Sequence, residues 1–312
     1  MQIYEDLDEI PHIQHPVVTI GTFDGVHLGH QKILKRLGEI ANAINGETVL
    51  VTFWPHPRMV LNPEGHNIKL LSSFEEKKAL LRQYGVDHLI SIRFTKAFSQ
   101  TSSQSFVEDI LIEKIGTQKL VIGYDHRFGR GREGSFEHLK ANQDKYGFEL
   151  EEISRQDIDN NGISSTKTRV ALESGDLDTA KAFLGRPYEL SGTVIKGKQI
   201  GRSLGFPTAN IEVANPNKLI PMDGVYVVEV EWEGMLKEGM LNIGNRPTLS
   251  GQNKTVEVHV FEFEGDLYGK QIKVYFHDFL RREKKFDGLD SLKAQLAKDK
   301  ISTMSYFQLK PK

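Results

Sequence analysis

The chain of 312 residues contains no cysteine, which excludes disulfides, thiolate zinc sites and a cysteine nucleophile and suits a reducing compartment. An excess of one charge is also lacking: 40 basic residues stand against 42 acidic ones, a formal net charge of -2. No overall cationic field exists to hold a nucleic-acid backbone by counterion release, so no polynucleotide partner is expected. A small phosphorylated ligand needs only local charge. No apolar run approaches the ~20 residues of a membrane span. The first ten residues, MQIYEDLDEI, are acidic where a secretory signal is basic and then apolar. These absences predict a soluble, cytoplasmic protein without a membrane partner; protein partners stay open. What is present is ordinary for a folded chain, 38% hydrophobic and 26% charged residues, in a length that fits two domains.

The first half alternates short β-branched runs with longer helical stretches. Residues 16–20, 48–53, 86–92 and 119–122 read as strands, and residues 27–44, 73–84, 103–115 and 135–146 as helices. The strand runs are nearly all apolar, as when both faces of a parallel sheet are covered by helices. This predicts a Rossmann-like, doubly wound α/β domain with its ligand beyond the carboxyl ends of the strands. Residues 164–184 read as two short helices split at Ser174-Gly175-Asp176. Strand runs then follow one another at 188–195, 209–213, 225–232, 235–243, 255–263 and 271–279, with a last helix at 289–297. The near-perfect alternation of TVEVHVFEF predicts an antiparallel sheet or barrel. The expected domains are residues 1–185 and 186–312.

The first strand runs into Gly21-Thr22-Phe23-Asp24-Gly25-Val26-His27-Leu28-Gly29-His30 and then an amphipathic helix. Glycines let such a turn approach a ligand, and a helix amino terminus offers N–H groups to phosphate. His27 and His30, three apart, share one face of the first turn. Paired imidazoles there suit nucleotidyl transfer, donating to phosphate oxygens as charge builds at the α-phosphorus. Helix capping is the plainer alternative; a zinc pair on a helix usually sits four apart. Downstream, Ile163-Ser164-Ser165-Thr166-Lys167-Thr168-Arg169 opens another helix. Its hydroxyls either cap that helix or offer hydrogen bonds to triphosphate, with Lys167 and Arg169 neutralising pyrophosphate.

In the second half, glycines at 197, 201 and 205 recur every four residues. They make either a glycine-rich turn or a loop that folds over phosphates, though not a Walker A loop. Thr208 and Asn210, two apart at a strand start, project oxygens to one side and could share magnesium with ATP. Glu257 lies within the alternating strand, where a carboxylate is costly unless paired or used. It is a candidate general base toward an alcohol, with a solvated strand face as the alternative.

Gly21 through His30, Trp54-Pro55-His56-Pro57, Gly123-Tyr124-Asp125-His126-Arg127-Phe128-Gly129 and Ile163 through Arg169 resemble the adenylyltransferase module of the bacterial bifunctional riboflavin kinase and FAD synthetase family. Gly201 through Asn210, Asn242 through Thr248, Val256 through His259 and Phe279 through Phe286 resemble its riboflavin kinase module. The resemblance implies an adenylation ATP site at Gly21, Phe23, Asp24, Gly25, His27 and His30, closed by Ser164, Ser165, Thr166 and Arg169. It implies an FMN side at Phe53, His56, Pro57, Arg58, Asp125, Arg127 and Phe128. For the second half it implies a small antiparallel β-barrel, with kinase ATP contacts at Gly197, Gly201, Gly205, Pro207, Thr208 and Asn210, and Thr208 and Asn210 on Mg2+. Glu257 becomes the base toward the ribityl 5′-hydroxyl, and Arg281 lies near the flavin. His126 and Thr168 depart from the family pattern, which more often has phenylalanine and isoleucine there. The implied substrates are riboflavin, FMN and ATP, with FAD the final product. Adenylyl transfer to another phosphorylated acceptor, or a flavin-binding regulator without turnover, are the alternatives.

Overall fold

The computed structural model describes every residue except 63–67, 125, 155–161, 198–199, 249–250 and 310–312. The chain divides into two compact units, Met1–Ser165 and Thr166–Lys312.

In the first unit six parallel strands form one sheet in the order β1-β4-β3-β2-β5-β6. These are β1 (Gln2–Tyr4), β2 (Val17–Ile20), β3 (Thr48–Trp54), β4 (His88–Arg93), β5 (Lys119–Gly123) and β6 (Glu149–Ile153). Alternate residues feed opposite faces, as strand geometry requires. Val17, Leu50 and Leu89 join Leu34, Leu37, Leu80 and Leu81 on one face. Val18, Val49, Val51, Ile90 and Ile122 join Phe106 and Leu111 on the other. Each such fully buried leucine contributes about 2 kcal/mol of transfer free energy. The predicted doubly wound architecture is therefore present, with two edge strands beyond the four expected. Those strands, QIY and ELEEI, are partly exposed, so they lack the apolar run that marks a central strand. The helix expected at 135–146 breaks at Asn142, whose side-chain amide donates to the His138 carbonyl.

Sheet order reverses between β2 and β5, so the crevice beyond their carboxyl ends is the topological switch point. Helix α1 (Leu28–Ala43) starts there. Helix α2 (Pro57–Leu61) follows β3, and α3 (Phe74–Gln83) precedes β4.

The second unit is a closed barrel in the order β10-β11-β8-β7-β12-β9. Its strands are β7 (Tyr188–Ile195), β8 (Ala209–Glu212), β9 (Gly224–Trp232), β10 (Met235–Thr248), β11 (Gly251–Val260) and β12 (Gln271–Arg281). All pairings are antiparallel. The helices Ser165–Ser174 and Leu177–Leu184 split where the sequence predicts. The second of them packs on β7 and β12. The intervening Gly175 takes φ +80°, a left-handed conformation that favours glycine, and lies against the Met222 methyl.

The carboxy-terminal helix, Leu289–Leu309, runs well past the expected end at 297. Its burial explains why: only Asp299 and Thr303, four apart and polar, are buried, so the stretch carries no apolar periodicity. Asp299 receives the Arg281 guanidinium through Nε (2.9 and 3.1 Å) and Nη2 (2.6 Å). Removing one partner of a buried pair strands the other charge. Asp299→Ala should therefore destabilise the barrel unit by about 3 kcal/mol. Trp54 and Trp232 fall in different units, so urea unfolding followed by Trp232 fluorescence in a Trp54→Phe background reads this loss directly.

Candidate active sites

At the end of β2 the chain turns sharply. Phe23 (φ +45°), Gly25 (φ +82°) and Val26 (φ +40°) all take left-handed backbone conformations. For buried Phe23 and β-branched Val26 this is strained, and such strain persists where surrounding structure enforces it. The enforcing contact is Asp24, 2% exposed. Its carboxylate accepts the Leu71 and Ser72 N–H groups, both at 3.1 Å, and its carbonyl accepts the Ser165 hydroxyl at 2.9 Å.

His27 is the N-cap of α1, and its Nδ1 accepts the His30 N–H at 3.4 Å. The capping alternative is thus present, and it does not compete with chemistry. With Nδ1 accepting, the ring proton of neutral His27 sits on Nε2, the nitrogen that can act as a donor. The His27 and His30 rings stack at 3.7 Å between centroids, and Phe23 lies 4.7 Å from His30 on a tilted plane. Burial, then His27 and Lys77, hold His30 well below the usual imidazole value. Its Nδ1 is buried with no hydrogen-bond partner among the described residues.

Lys77 was not foreseen. Helix α3 opens with a capping box in which Ser73 accepts the Glu76 N–H and Glu76 accepts the Ser73 N–H. That start sets the helix phase, so Lys77 turns inward with Leu80 and Leu81. It is 2% exposed. The legible signal was a lysine on the apolar face of a helix whose start the Ser-x-x-Glu pattern marks.

On the expected FMN side, Phe53 and Phe128 both touch Phe106, at 6.2 and 5.6 Å between ring centroids. Phe94 and Phe98 complete an aromatic cluster around Phe53. None of these three linking rings was anticipated, because residues from β4 and the following segments meet only in the fold. His56 caps α2 by accepting the Arg58 N–H at 3.2 Å, with Pro57 opening the helix. Arg58 and Arg127 are exposed. Asp125 lies outside the described residues. His126 stacks on Phe128 at 5.7 Å, and burial, helped by Arg132, lowers it to about 4. Ser164 is half-buried; Thr166 and Lys167 are exposed, and Thr168 and Arg169 buried, on the helix Ser165–Ser174.

In the barrel, register brings the candidates together. Glu257 on β11 lies directly opposite Asn210 on β8 and Asn242 on β10, so three polar side chains share a row on one face. Glu257 is half-buried, whereas Val256 and Val258, on the opposite face, are buried. Gly197 approaches the Asn210 amide so closely that a Cβ there would collide with it. Gly205 has φ +83°. The same loop is tied down at Pro207, whose carbonyl accepts His259 Nδ1–H at 2.7 Å. Thr208 immediately precedes β8. Arg281 is engaged by Asp299 as described. Among the described residues no group of three or more His, Asp or Glu converges on a metal site; Thr208 and Asn210 offer a hydroxyl and an amide oxygen, hard donors that suit magnesium.

A doubly wound unit with stacked imidazoles at its switch point, joined to a barrel bearing an acid beside amide and hydroxyl oxygens, defines a two-domain nucleotide-dependent transferase. Residues 10–167 match the FAD synthetase family and residues 184–307 the riboflavin kinase family. Curated proteins named bifunctional riboflavin kinase/FMN adenylyltransferase are 38% identical to this chain. That of Listeria monocytogenes covers 93% of this chain and 92% of its own length. Those of Pseudomonas fluorescens (96% and 96%) and Escherichia coli K12 (94% and 93%) are equally similar. A Streptococcus pneumoniae crystal structure titled as a macrolide-efflux protein superimposes with a TM-score of 0.88 at 30% identity, covering 97% of this chain and 98% of that one. Among the described residues no helix is long and apolar enough to cross a membrane. The chain belongs to the bifunctional riboflavin kinase/FMN adenylyltransferase family.

The depressed imidazoles have a measurable consequence. Unfolded histidine takes up its proton near pH 6.5, whereas His30 and His126 in the fold resist it down to well below 6.5 and about 4 respectively. The unfolded state therefore binds more protons over this window, and stability falls as pH drops below about 6.5, by up to ~1.4 kcal/mol per pH unit for each group. Urea unfolding at pH 7 and pH 5 should show a smaller acid loss for His126→Phe than for the unaltered chain.

Proposed function

We propose that the barrel phosphorylates riboflavin with ATP to give FMN, and that the α/β domain adenylates FMN to give FAD and pyrophosphate. The observation that carries this reading is the presence of two distinct donor sets in separate compact units: stacked His27 and His30 in one, and Glu257 in register with Asn210 in the other. We assign residues 1–185 to adenylation and 186–312 to the kinase, in a cytoplasmic setting.

In the kinase step Glu257 accepts the proton of the ribityl 5′-hydroxyl. The oxygen attacks the γ-phosphorus, a P–O bond forms, the bond to the β-phosphate oxygen breaks, and ADP leaves. The loop through Gly197, Gly201, Gly205 and Pro207 covers the phosphates, and Arg281, oriented by Asp299, faces the flavin side. Thr208 and Asn210 would hold Mg2+, which supplies charge neutralisation at the phosphates.

In the adenylation step an FMN phosphate oxygen attacks the α-phosphorus of ATP and pyrophosphate departs. Catalysis rests on positioning and on donors aimed where negative charge grows. His27 Nε2–H and His30 serve that role, and the turn Gly21, Phe23, Asp24 and Gly25 shapes the nucleotide site. Ser164, Ser165, Thr166 and Arg169 are assigned to the phosphates. The FMN side is assigned to Phe53, His56, Pro57, Arg58, Asp125, Arg127 and Phe128, and the aromatic cluster around Phe53 suits a flat ring system.

Chromatographic separation of riboflavin, FMN and FAD tests both halves. Glu257→Gln should lower FMN formation by about 10²-fold or more while FAD formation from supplied FMN stays within twofold. His27→Ala should reverse the pattern, costing FAD formation about 10²-fold. Loss of both activities from either change in a folded protein refutes independent sites.

A further inference from the structure

Lys77 lies in the α/β unit among groups that belong to the turn at the switch point, yet no step described above uses it. Among the described residues its Nζ makes one long hydrogen bond, 3.5 Å to Thr52 Oγ1, and it lies 5.3 Å from the centroid of the Trp54 ring. Both partners are at the carboxyl end of β3. Thr52 Oγ1 in turn donates to the Thr22 carbonyl at 3.5 Å, so the hydroxyl joins the ammonium to the backbone of the histidine turn.

A buried ammonium carries three donor hydrogens and is costly to leave underused. The carboxylate that acts on Lys77 is Asp24, whose two oxygens already accept the Leu71 and Ser72 N–H groups. On the cationic side, the fields of His27 and Lys77 both act on His30. Lys77 is thus a buried ammonium close enough to His30 and to Asp24 to act on each, and the carboxylate is already committed to backbone N–H groups. The arrangement suits a polyanion held by donors from two directions, α1 on one side and α3 on the other.

We propose that Lys77 is a phosphate-binding catalytic residue of the adenylation site, its ammonium donating to the ATP phosphate oxygens that the histidine turn addresses. The proposal rests on the reading of that turn as the adenylyl-transfer site. It differs from a purely structural role, in which Lys77 would serve only as counter-charge to Asp24 and hold the segment entering α3.

The two roles predict opposite stability effects. Burial lowers the Lys77 ammonium to about 8, against the pull of Asp24. Between that value and 10.5 the unfolded chain binds the extra proton, so the buried charge detracts from folding at neutral pH. Lys77→Met, which keeps length and removes charge, should leave the melting temperature unchanged or raise it.

The test uses the full chain, with FAD formation from supplied FMN and FMN formation from riboflavin measured side by side. Lys77→Met should lower kcat for FAD formation by about 10²-fold, with a smaller change in KM, and leave FMN formation within twofold. Unaltered protein should lose FAD-forming activity as pH rises from 7.5 to 9.5, since the ammonium is then titrated and ATP is already fully ionised; this limb should move upward at saturating ATP. A lowered melting temperature with activity restored on cooling makes Lys77 structural and overturns the proposal. Activity within threefold of the unaltered chain in Lys77→Met, alongside loss in His27→Ala, also overturns it and leaves the histidine reading intact. Retention in both variants refutes the histidine reading itself. A flat pH profile from 7.5 to 9.5 counts against the proposal without any substitution.

Discussion

The α/β site depends on one buried carboxylate. Asp24 sits in a turn whose backbone is strained at Phe23 and Val26, and it reaches across to accept the N–H groups of Leu71 and Ser72. Without that reach the turn has no reason to hold left-handed conformations at an aromatic and a β-branched residue. The same contact fixes the segment that enters α3, and hence places Lys77. A residue first assigned to the nucleotide thus also acts as the tie between two loops at the sheet's carboxyl edge. That position follows from topology, because β2 and β3 are neighbours and their loops must leave from the same edge.

The barrel solves a different problem. Its candidate groups are brought together by register rather than by a strained turn. Asn242, Glu257 and Asn210 lie on three successive strands, and a one-residue slip of β11 would carry Glu257 to the face now occupied by Val256 and Val258. Burial of the valine face holds the register, so apolar packing on one side of the sheet positions polar chemistry on the other. Gly197 adds the close approach of the glycine-rich loop to Asn210. Arg281 is held by Asp299 from the carboxy-terminal helix, which links a candidate flavin contact to a helix far along the chain.

Much of the fold was legible in order along the chain. The alternating and all-apolar runs marked ten of the twelve strands among the described residues, and Gly175 marked the break between two helices. The histidine turn, the glycine spacing and Glu257 stood out as candidates because each is a local pattern, although each also has a plainer reading as a cap, a turn or a solvated strand face. Edge strands β1 and β6 were not, since half-exposed strands carry no distinctive hydrophobic signal. Lys77 was hidden for the opposite reason: a lysine in a helix reads as solvated unless the helix is known to bury that face. The rings of Phe94, Phe98 and Phe106 carry no local signal, because only the fold brings them around Phe53.

The sequence by itself determined the two architectures, because periodicity and alternation act over one turn or one strand, and its motifs carried the resemblance that gave each half a reaction. Tertiary structure alone decided which groups share a site: Asp24 with Leu71 and Ser72, Lys77 with Thr52, Glu257 with Asn210, Arg281 with Asp299. These pairings join positions distant in the chain, and only sheet order, register and burial fix the distances between them.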